Sequence, residues 1–288
     1  MNIIFQINGG IGKSVAATGV VRSIKEKYPD DQLIVITAYP DVFLNNPNVD
    51  RCFGPMNFPY FYETFIKDQE SMTMLHDPYL ETNHIMSNEH LIKTWCNMNG
   101  LENWYAPEIY ITKREIDFYS DKFHSDKPIF LLQTSGGAPG QEHKYSWARD
   151  IPMIVAEKIV EEFRDTHNVV HVRREDQLSL NNTFPIHDNI RALSVLASIS
   201  DKRLLIDSFL QHVCAAIQLK STVCWVVNKP EVFGYPLHDN ILAEPFTNPY
   251  DYKNSMYNPF DILGNPDEFP YRHEGEIFNA DTIIKSLR

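Results

Sequence analysis

The chain lacks any long apolar run. Among its 288 residues no window approaches the roughly 18 uninterrupted apolar residues of a membrane-spanning helix. No basic region precedes the short apolar stretch of MNIIFQINGG, so neither a signal peptide nor an integral membrane segment is expected. Cysteine is scarce as well. Cys52, Cys96, Cys214 and Cys224 lie far apart and show no metal-ligand spacing, which points to reduced thiols in a cytoplasmic protein. Positive charge is in deficit, with 26 Lys and Arg against 38 Asp and Glu. The resulting net charge of −12 repels phosphate polymers and counts against a general nucleic-acid binder. No repeat of the 20 to 50 residue class is visible. What is present is the composition of a soluble globular protein, long enough for two domains of roughly 100 to 150 residues each.

The first half opens as a βαβ unit. Ile3 to Ile7 is a short apolar strand, and Asn8-Gly9-Gly10-Ile11-Gly12-Lys13 is a glycine loop. Ala17, Val20, Val21, Ile24 and Tyr28 then recur at helical spacing until Pro29. Leu33 to Thr37 is nearly all apolar, as a parallel strand buried on both faces should be. From Phe53 to Phe65 the chain turns aromatic, and from Ser71 to Glu89 it carries histidines and acids. Such an irregular region inside a domain is either functional or packed by its own rings. Helices are expected over His90 to Leu101 and Ile116 to Phe123. Ser125-Asp126-Lys127-Pro128 marks a boundary, giving an amino-terminal domain over 1–126.

The second half repeats the pattern over 127–275, with a closing helix in 276–288. Ile129 to Gln133 is a strand, Thr134 to Gln141 a Gly-rich loop, and Asp150 an N-cap for a helix over Ile151 to Phe163. Val169 to Val172 is a strand and Ile190 to Ser200 a helix. Leu204 to Val227, LLIDSFLQHVCAAIQLKSTVCWVV, reads as strand, helix, strand. Ser208 with Gln211 three places on is a capping-box pattern, which leaves Asp207 at the carboxyl end of a strand. Ligands of open α/β sheets bind just there, so Asp207 and the first helical turn with His212 are candidates, unless Asp207 merely caps a helix and His212 lies on the surface. The proline- and aromatic-rich stretch from Asn228 to about Gly275 is expected to wrap the surface.

The glycine loop invites a nucleotide-triphosphatase reading that its spacing does not support. G-x-x-x-x-G-K-[ST] needs glycine at 7, where Ile7 stands, and a leading-lysine variant would need that lysine at 8, where Asn8 stands. What survives is physical: Gly9, Gly10 and Gly12 before a helix let backbone N–H groups approach an anion or a sugar closely.

Three separated blocks carry a more specific likeness. GGIGKSVAATGVVRSIKEKYPDDQLIVITAYPDVFLNNPNVDR, KYSW from Lys144 to Trp147, and LLIDSFLQHVCAAIQL resemble, in that order, the glycine loop with its P-x-V-D strand entry, the K-x-W motif and the D-[ST]-G-x-x-H-x-x-A-A signature of heptosyltransferase-like glycosyltransferases of family 9. The resemblance implies a GT-B architecture, two Rossmann-like domains facing across a cleft. It implies transfer of a sugar from a nucleotide-diphosphate donor to an acceptor hydroxyl, inverting and without a metal or other cofactor. Asp207, Ser208 and His212 match positions that contact the donor's sugar and diphosphate. Lys144 matches the lysine that neutralises the leaving diphosphate, and Glu175 is placed like the acid that holds the ribose, with Thr134 in the same donor loop.

Two departures matter. The family's aspartate after the last glycine, its base, is replaced by Lys13, and lysine with a pKa near about 10.4 is a poor base unless buried. Asp77 and His76 become the candidate bases, with Glu89 and His84 behind them. Lys13 is either a solvated lysine at a helix start or a further phosphate or carboxylate contact. Phe209 stands for the signature's glycine and narrows the site beside the donor sugar. A glycan or glycolipid acceptor, such as a lipopolysaccharide core, follows from the family. A phage-type enzyme glycosylating modified DNA bases and a non-catalytic nucleotide-sugar binder are the alternatives.

Overall fold

The computed structural model describes residues 1–56, 58–81, 89–137, 147–245, 269 and 271–288. Its strands form two parallel sheets. The first joins β1 (Asn2–Ile7), β2 (Gln32–Thr37), β3 (Arg51–Phe53) and β4 (Ser71–Met74) in the order β3-β2-β1-β4. The second joins β5 (Ile129–Leu132), β6 (Asn168–Val172), β7 (Phe184–Ile186), β8 (Lys202–Ile206), β9 (Thr222–Trp225) and β10 (Asp239–Leu242) in the order β10-β9-β8-β5-β6-β7. The α/β class and the paired sheets agree with the sequence reading. Four strands escaped it, β3, β4, β7 and β10, and these are the four sheet edges. Edge strands this short are paired on one side only and need no continuous apolar run. β7 even contains Pro185, which an edge tolerates and a central ladder does not.

Helices α1 (Ile11–Lys27), α2 (Phe61–Phe65), α3 (Leu91–Met98), α4 (Lys113–Lys122), α5 (Met153–Phe163), α6 (Ile190–Ile199), α7 (Phe209–Ala216), α8 (Pro230–Phe233) and α9 (Ala280–Leu287) cover these sheets. Strand side chains alternate between faces with period 2. Ile3, Phe5 and Ile7 of β1 and Leu33 and Val35 of β2 share one hydrophobic cluster with α1 and α3, and the same cluster continues through Leu131, Leu205, Val223 and Trp225 of the second sheet. The helices α1 and α7 meet within it, so the two halves share a core rather than touching at a rim. The opposite face of the second sheet, with Phe130, Leu132, Leu204 and Ile206, is covered by α5 and α9.

Among the described residues no long helix covers the outer face of the first sheet. Ile4, Ile34 and Ile36 are covered by Phe53, Phe58, Phe61 and Phe65, whose ring centroids stand 4.9 to 6.2 Å apart. The aromatic run is therefore largely a roof for the sheet, packed by its own rings. Of the large apolar side chains described in that run, Met56, Tyr60 and Tyr62 remain well exposed.

The connection between the halves runs along α1. A Cβ on Gly19 would come within 2.3 Å of the Tyr105 carbonyl oxygen, so glycine alone permits this approach. Glu108 N donates to Thr18 Oγ1 at 2.8 Å, and the next amide, Ile109 N, donates to the carbonyl of Ala216 at the end of α7. The helix α4, which the sequence reading assigns to the amino-terminal domain, packs against α6. There the buried Arg191 grips Glu115 with Nε to Oε1 at 2.7 Å and Nη2 to Oε2 at 3.0 Å. Those bonds hold the Glu115 carboxyl down at about 2.

Candidate functional site

The site is built where helices begin at the carboxyl ends of central strands. β8 ends at Ile206, Asp207 follows, and Ser208 is the extended N-cap residue of α7, as the sequence pattern requires. The capping box itself does not form. Ser208 makes no side-chain cap bond; its Oγ accepts from Gln133 Nε2 at 3.3 Å, while Gln211 is fully buried and donates to the Phe233 carbonyl. The expected cap of the helix after β5 is likewise corrected. Pro152 is the N-cap of α5, and Asp150 instead accepts from Gly136 N at 3.1 Å. Thus α1, α5 and α7, which follow the central strands β1, β5 and β8, all start without a side-chain cap. Their first N–H groups carry partial positive charge toward the cleft. By contrast α3, α4, α6 and α9 are capped by His90, Thr112, Asn189 and Asn279.

Burial raises the pKa of Asp207, against the opposing pull of Arg149 and a hydrogen bond from Asn228 Nδ2. His212, 7% exposed, is kept neutral because burial lowers its pKa to about 3, and its Nδ1 lies 2.8 Å from Tyr235 Oη. The imidazole therefore offers hydrogen bonding and shape but no charge.

The glycine loop of the first half abuts this turn. Gly9 has φ +109°, a conformation that favours glycine, and Gly10 is the N-cap of α1. A Cβ on Gly12 would stand 3.2 Å from both His212 Cδ2 and the Phe209 Cα, so the loop touches the first turn of α7 at the position where Phe209 replaces the expected glycine. Lys13 is not solvated. Its side chain is 5% exposed, its Nζ lies 2.6 Å from Asp77 Oδ1, and the rings of Tyr79 and Trp95 stand 4.9 and 5.3 Å from the ammonium. Burial lowers the lysine pKa, while Asp77 opposes the shift. Tyr79 N also donates to Asp77 Oδ1, and the Tyr79 ring stacks on Phe233 of the second half. Nearby, the N-cap residue of α3, His90, places Nε2 3.0 Å from the Gly234 carbonyl, a second bond across the cleft.

Asp77, Lys13, Gly12, Asp207, Ser208 and His212 are thus gathered along one line of contact. Other candidates are not. Thr134 turns its hydroxyl to the buried His171, 2.9 Å away, rather than to the cleft. Glu175 is exposed on the turn after β6. His76 is exposed and pairs with Asn99, and Glu89 is bound by Lys93 and Thr94 of α3. Lys144 and His84 lie outside the described residues. Sequence reasoning missed Arg149, Gln133, His90 and Tyr235. Arg149 and Asp150 follow the KYSW block after a single alanine, which was the available signal; the others carry no local pattern. Among the described residues no group of three or more His, Cys, Asp or Glu is arranged to hold a metal ion, and no helix is long and apolar enough to cross a membrane.

No family model and no curated protein matches this sequence. Solved structures do match in three dimensions. The chain is similar to a family 9 glycosyl transferase from Veillonella parvula, with TM-score 0.65 and 12% identity over 99% of this chain and 95% of that one. It is similar to the ADP-heptose lipopolysaccharide heptosyltransferase II of E. coli, with TM-score 0.68 and 11% identity over 100% and 97%. A third is the E. coli heptosyltransferase WaaC with ADP, at TM-score 0.56 and 9% identity over 85% and 94%. The two parallel sheets, facing each other through α1 and α7, have the GT-B fold of the family 9 glycosyltransferases.

Proposed function

We propose that the protein is a glycosyltransferase that moves a sugar from a nucleotide-diphosphate sugar to an acceptor hydroxyl, with a lipopolysaccharide-type glycan as the favoured acceptor class. The observation that carries this reading is the coincidence of a full-length fold match to heptosyltransferases with Asp207 and an uncapped helix start at the carboxyl end of β8. One similar structure, that of the E. coli heptosyltransferase WaaC, holds ADP, which supports a nucleoside-diphosphate donor.

In this reading the donor diphosphate lies at the amino end of α7, where backbone N–H groups and the helix dipole stabilise the departing charge. Lys144 adds a cation. Inversion requires a base on the opposite side of the anomeric carbon, and Asp77 takes that part. Both of its described hydrogen bonds fall on Oδ1, from Lys13 and Tyr79, which leaves Oδ2 for the acceptor hydroxyl. The buried ammonium of Lys13 pairs with this carboxylate and orients it. The proton passes from the acceptor hydroxyl to Asp77 as the oxygen bonds to the anomeric carbon and the diphosphate leaves.

A panel of ADP-, UDP- and GDP-sugars, screened by thermal shift and then assayed for transfer, tests the reading. One donor is expected to stabilise the protein, Asp207→Ala to lose that stabilisation, and Asp77→Asn to keep donor binding while turnover collapses. Stabilisation by no nucleotide sugar would sink the proposal. Tight binding without turnover on any acceptor would make the protein a binder.

A further inference from the structure

Between the carboxyl ends of β5 and β8 lies a polar cluster that joins Ser208 to Arg149, a residue none of the motifs above includes. It centres on Gly136. A Cβ built there would stand 3.1 Å from Ser208 Oγ, 3.2 Å from Arg149 Cδ and 3.3 Å from Arg149 Nη1. The hydroxyl that opens α7 and a guanidinium thus flank the same glycine. Asp150 holds that glycine by accepting its N–H at 3.1 Å, and the charge of Arg149 acts on both Asp150 and Asp207.

A second observation lies beneath Ser208. Gln133 is 3% exposed; its Nε2 donates to Ser208 Oγ and to the Ser135 carbonyl, both at 3.3 Å. A carbonyl can only accept, so the Ser135 contact fixes which end of the amide is nitrogen. Its Oε1 has no hydrogen-bond partner among the described residues. An unsatisfied buried acceptor is costly and calls for a donor group such as a sugar hydroxyl, so Oε1 itself is not a contact for the anion. The charges agree with an anionic guest. Burial pushes Asp150 up to about 7, so near neutral pH its carboxyl is only partly charged beside the guanidinium, and burial raises Asp207 as well.

We propose that Arg149 is a diphosphate-binding residue of the donor site, forking onto the phosphate oxygens at the amino end of α7 while Asp150 and Asp207 position it. The proposal rests on the glycosyltransferase reading of this cleft. Arginine suits the task because its planar donors match two phosphate oxygens at once, which a lysine ammonium cannot do.

The test is calorimetric titration of the full chain with ADP and UDP, and with adenosine and uridine. For whichever diphosphate the wild type binds, Arg149→Ala is expected to weaken affinity about tenfold or more, from the loss of charge-assisted hydrogen bonds. The matching nucleoside should bind as before, and Arg149→Lys should recover part of the loss. If Arg149→Ala melts early, Arg149→Gln carries the same comparison. A diphosphate affinity unchanged by the substitution, or a loss shared equally by the nucleoside, overturns the role of Arg149 while leaving the glycosyltransferase reading intact. A wild-type protein that binds neither of these diphosphates nor GDP overturns both.

Discussion

Among the helices of eight residues or more, the starts fall into two groups, one closed by a side chain and one left open; the short α2 and α8 are open as well. At α3, α4, α6 and α9 a side chain closes the first turn; at α4 it is a full capping box between Thr112 and Glu115. At α1, α5 and α7 no side chain does so, although Ser208 and Asp150 stand where they could. Their polar atoms face Gln133 and Gly136 instead. A capped start stabilises; an open one at a strand's carboxyl end keeps its N–H groups for an anion.

The capped group can be broken hardest at α4. Arg191→Ala leaves Glu115 beside a pocket emptied of its buried guanidinium, and loss of one partner of a buried pair costs about 3 to 5 kcal/mol. Urea unfolding should show that loss, with no change in donor affinity for the fraction that stays folded. Parity with wild type would mean that α4 does not need its anchor.

Acid should damage the fold next. Burial lowers His90, His171 and His212 to about 4, 4 and 3 from 6.5, so between those values and 6.5 the unfolded chain binds protons that the folded chain does not. Asp150, raised to about 7, and Asp207 work the other way, taking up protons in the folded state. With His238, which burial also lowers, four imidazoles stand against two raised carboxyls, so the unfolded side holds the net protons, each worth about 1.4 kcal/mol per pH unit. The urea midpoint is therefore expected to climb from pH 4.5 to 6.5, and a flat or falling profile contradicts it.

A gentler probe is Gly12→Ala. The added methyl meets the Phe209 backbone and the His212 ring at 3.2 Å, and overpacking of this kind costs about 1 to 3 kcal/mol. It acts from the acceptor side, so weakened donor binding in this variant would show that the glycine loop and α7 work as one unit. The smallest contrast is the sharpest. Asn279→Ala should cost about 1 kcal/mol as a lost cap, whereas Ser208→Ala, which removes no cap bond, should leave the melting temperature near wild type and reduce donor affinity. Equal destabilisation in the two would erase the distinction.

These groups explain what the sequence revealed. Asp207 was legible because an apolar run stopping at a carboxylate before a helical pattern marks a strand's carboxyl end whatever the surroundings. Ser208 was placed correctly and its bond was not, since capping patterns are local while Gln133 comes from a strand 75 residues away. Lys13 was the hardest to read. No spacing joins it to Asp77, 64 residues on, yet the pair, with Tyr79 and Trp95 around it, is what fills the place of the missing acid. Edge strands stayed hidden because they have one neighbour and little pattern, and the aromatic run was visible as a region without revealing which sheet it roofs.

The two consecutive amides of Glu108 and Ile109, one tied to α1 and the other to α7, set the mechanics of the molecule. Because this one point is bonded to both helices, movement between the halves is expected to be smallest here. Amide hydrogen exchange at 108 and 109 is accordingly expected to stay slow with or without a bound nucleotide, while the far contacts, Tyr79 on Phe233 and His90 on Gly234, respond to it.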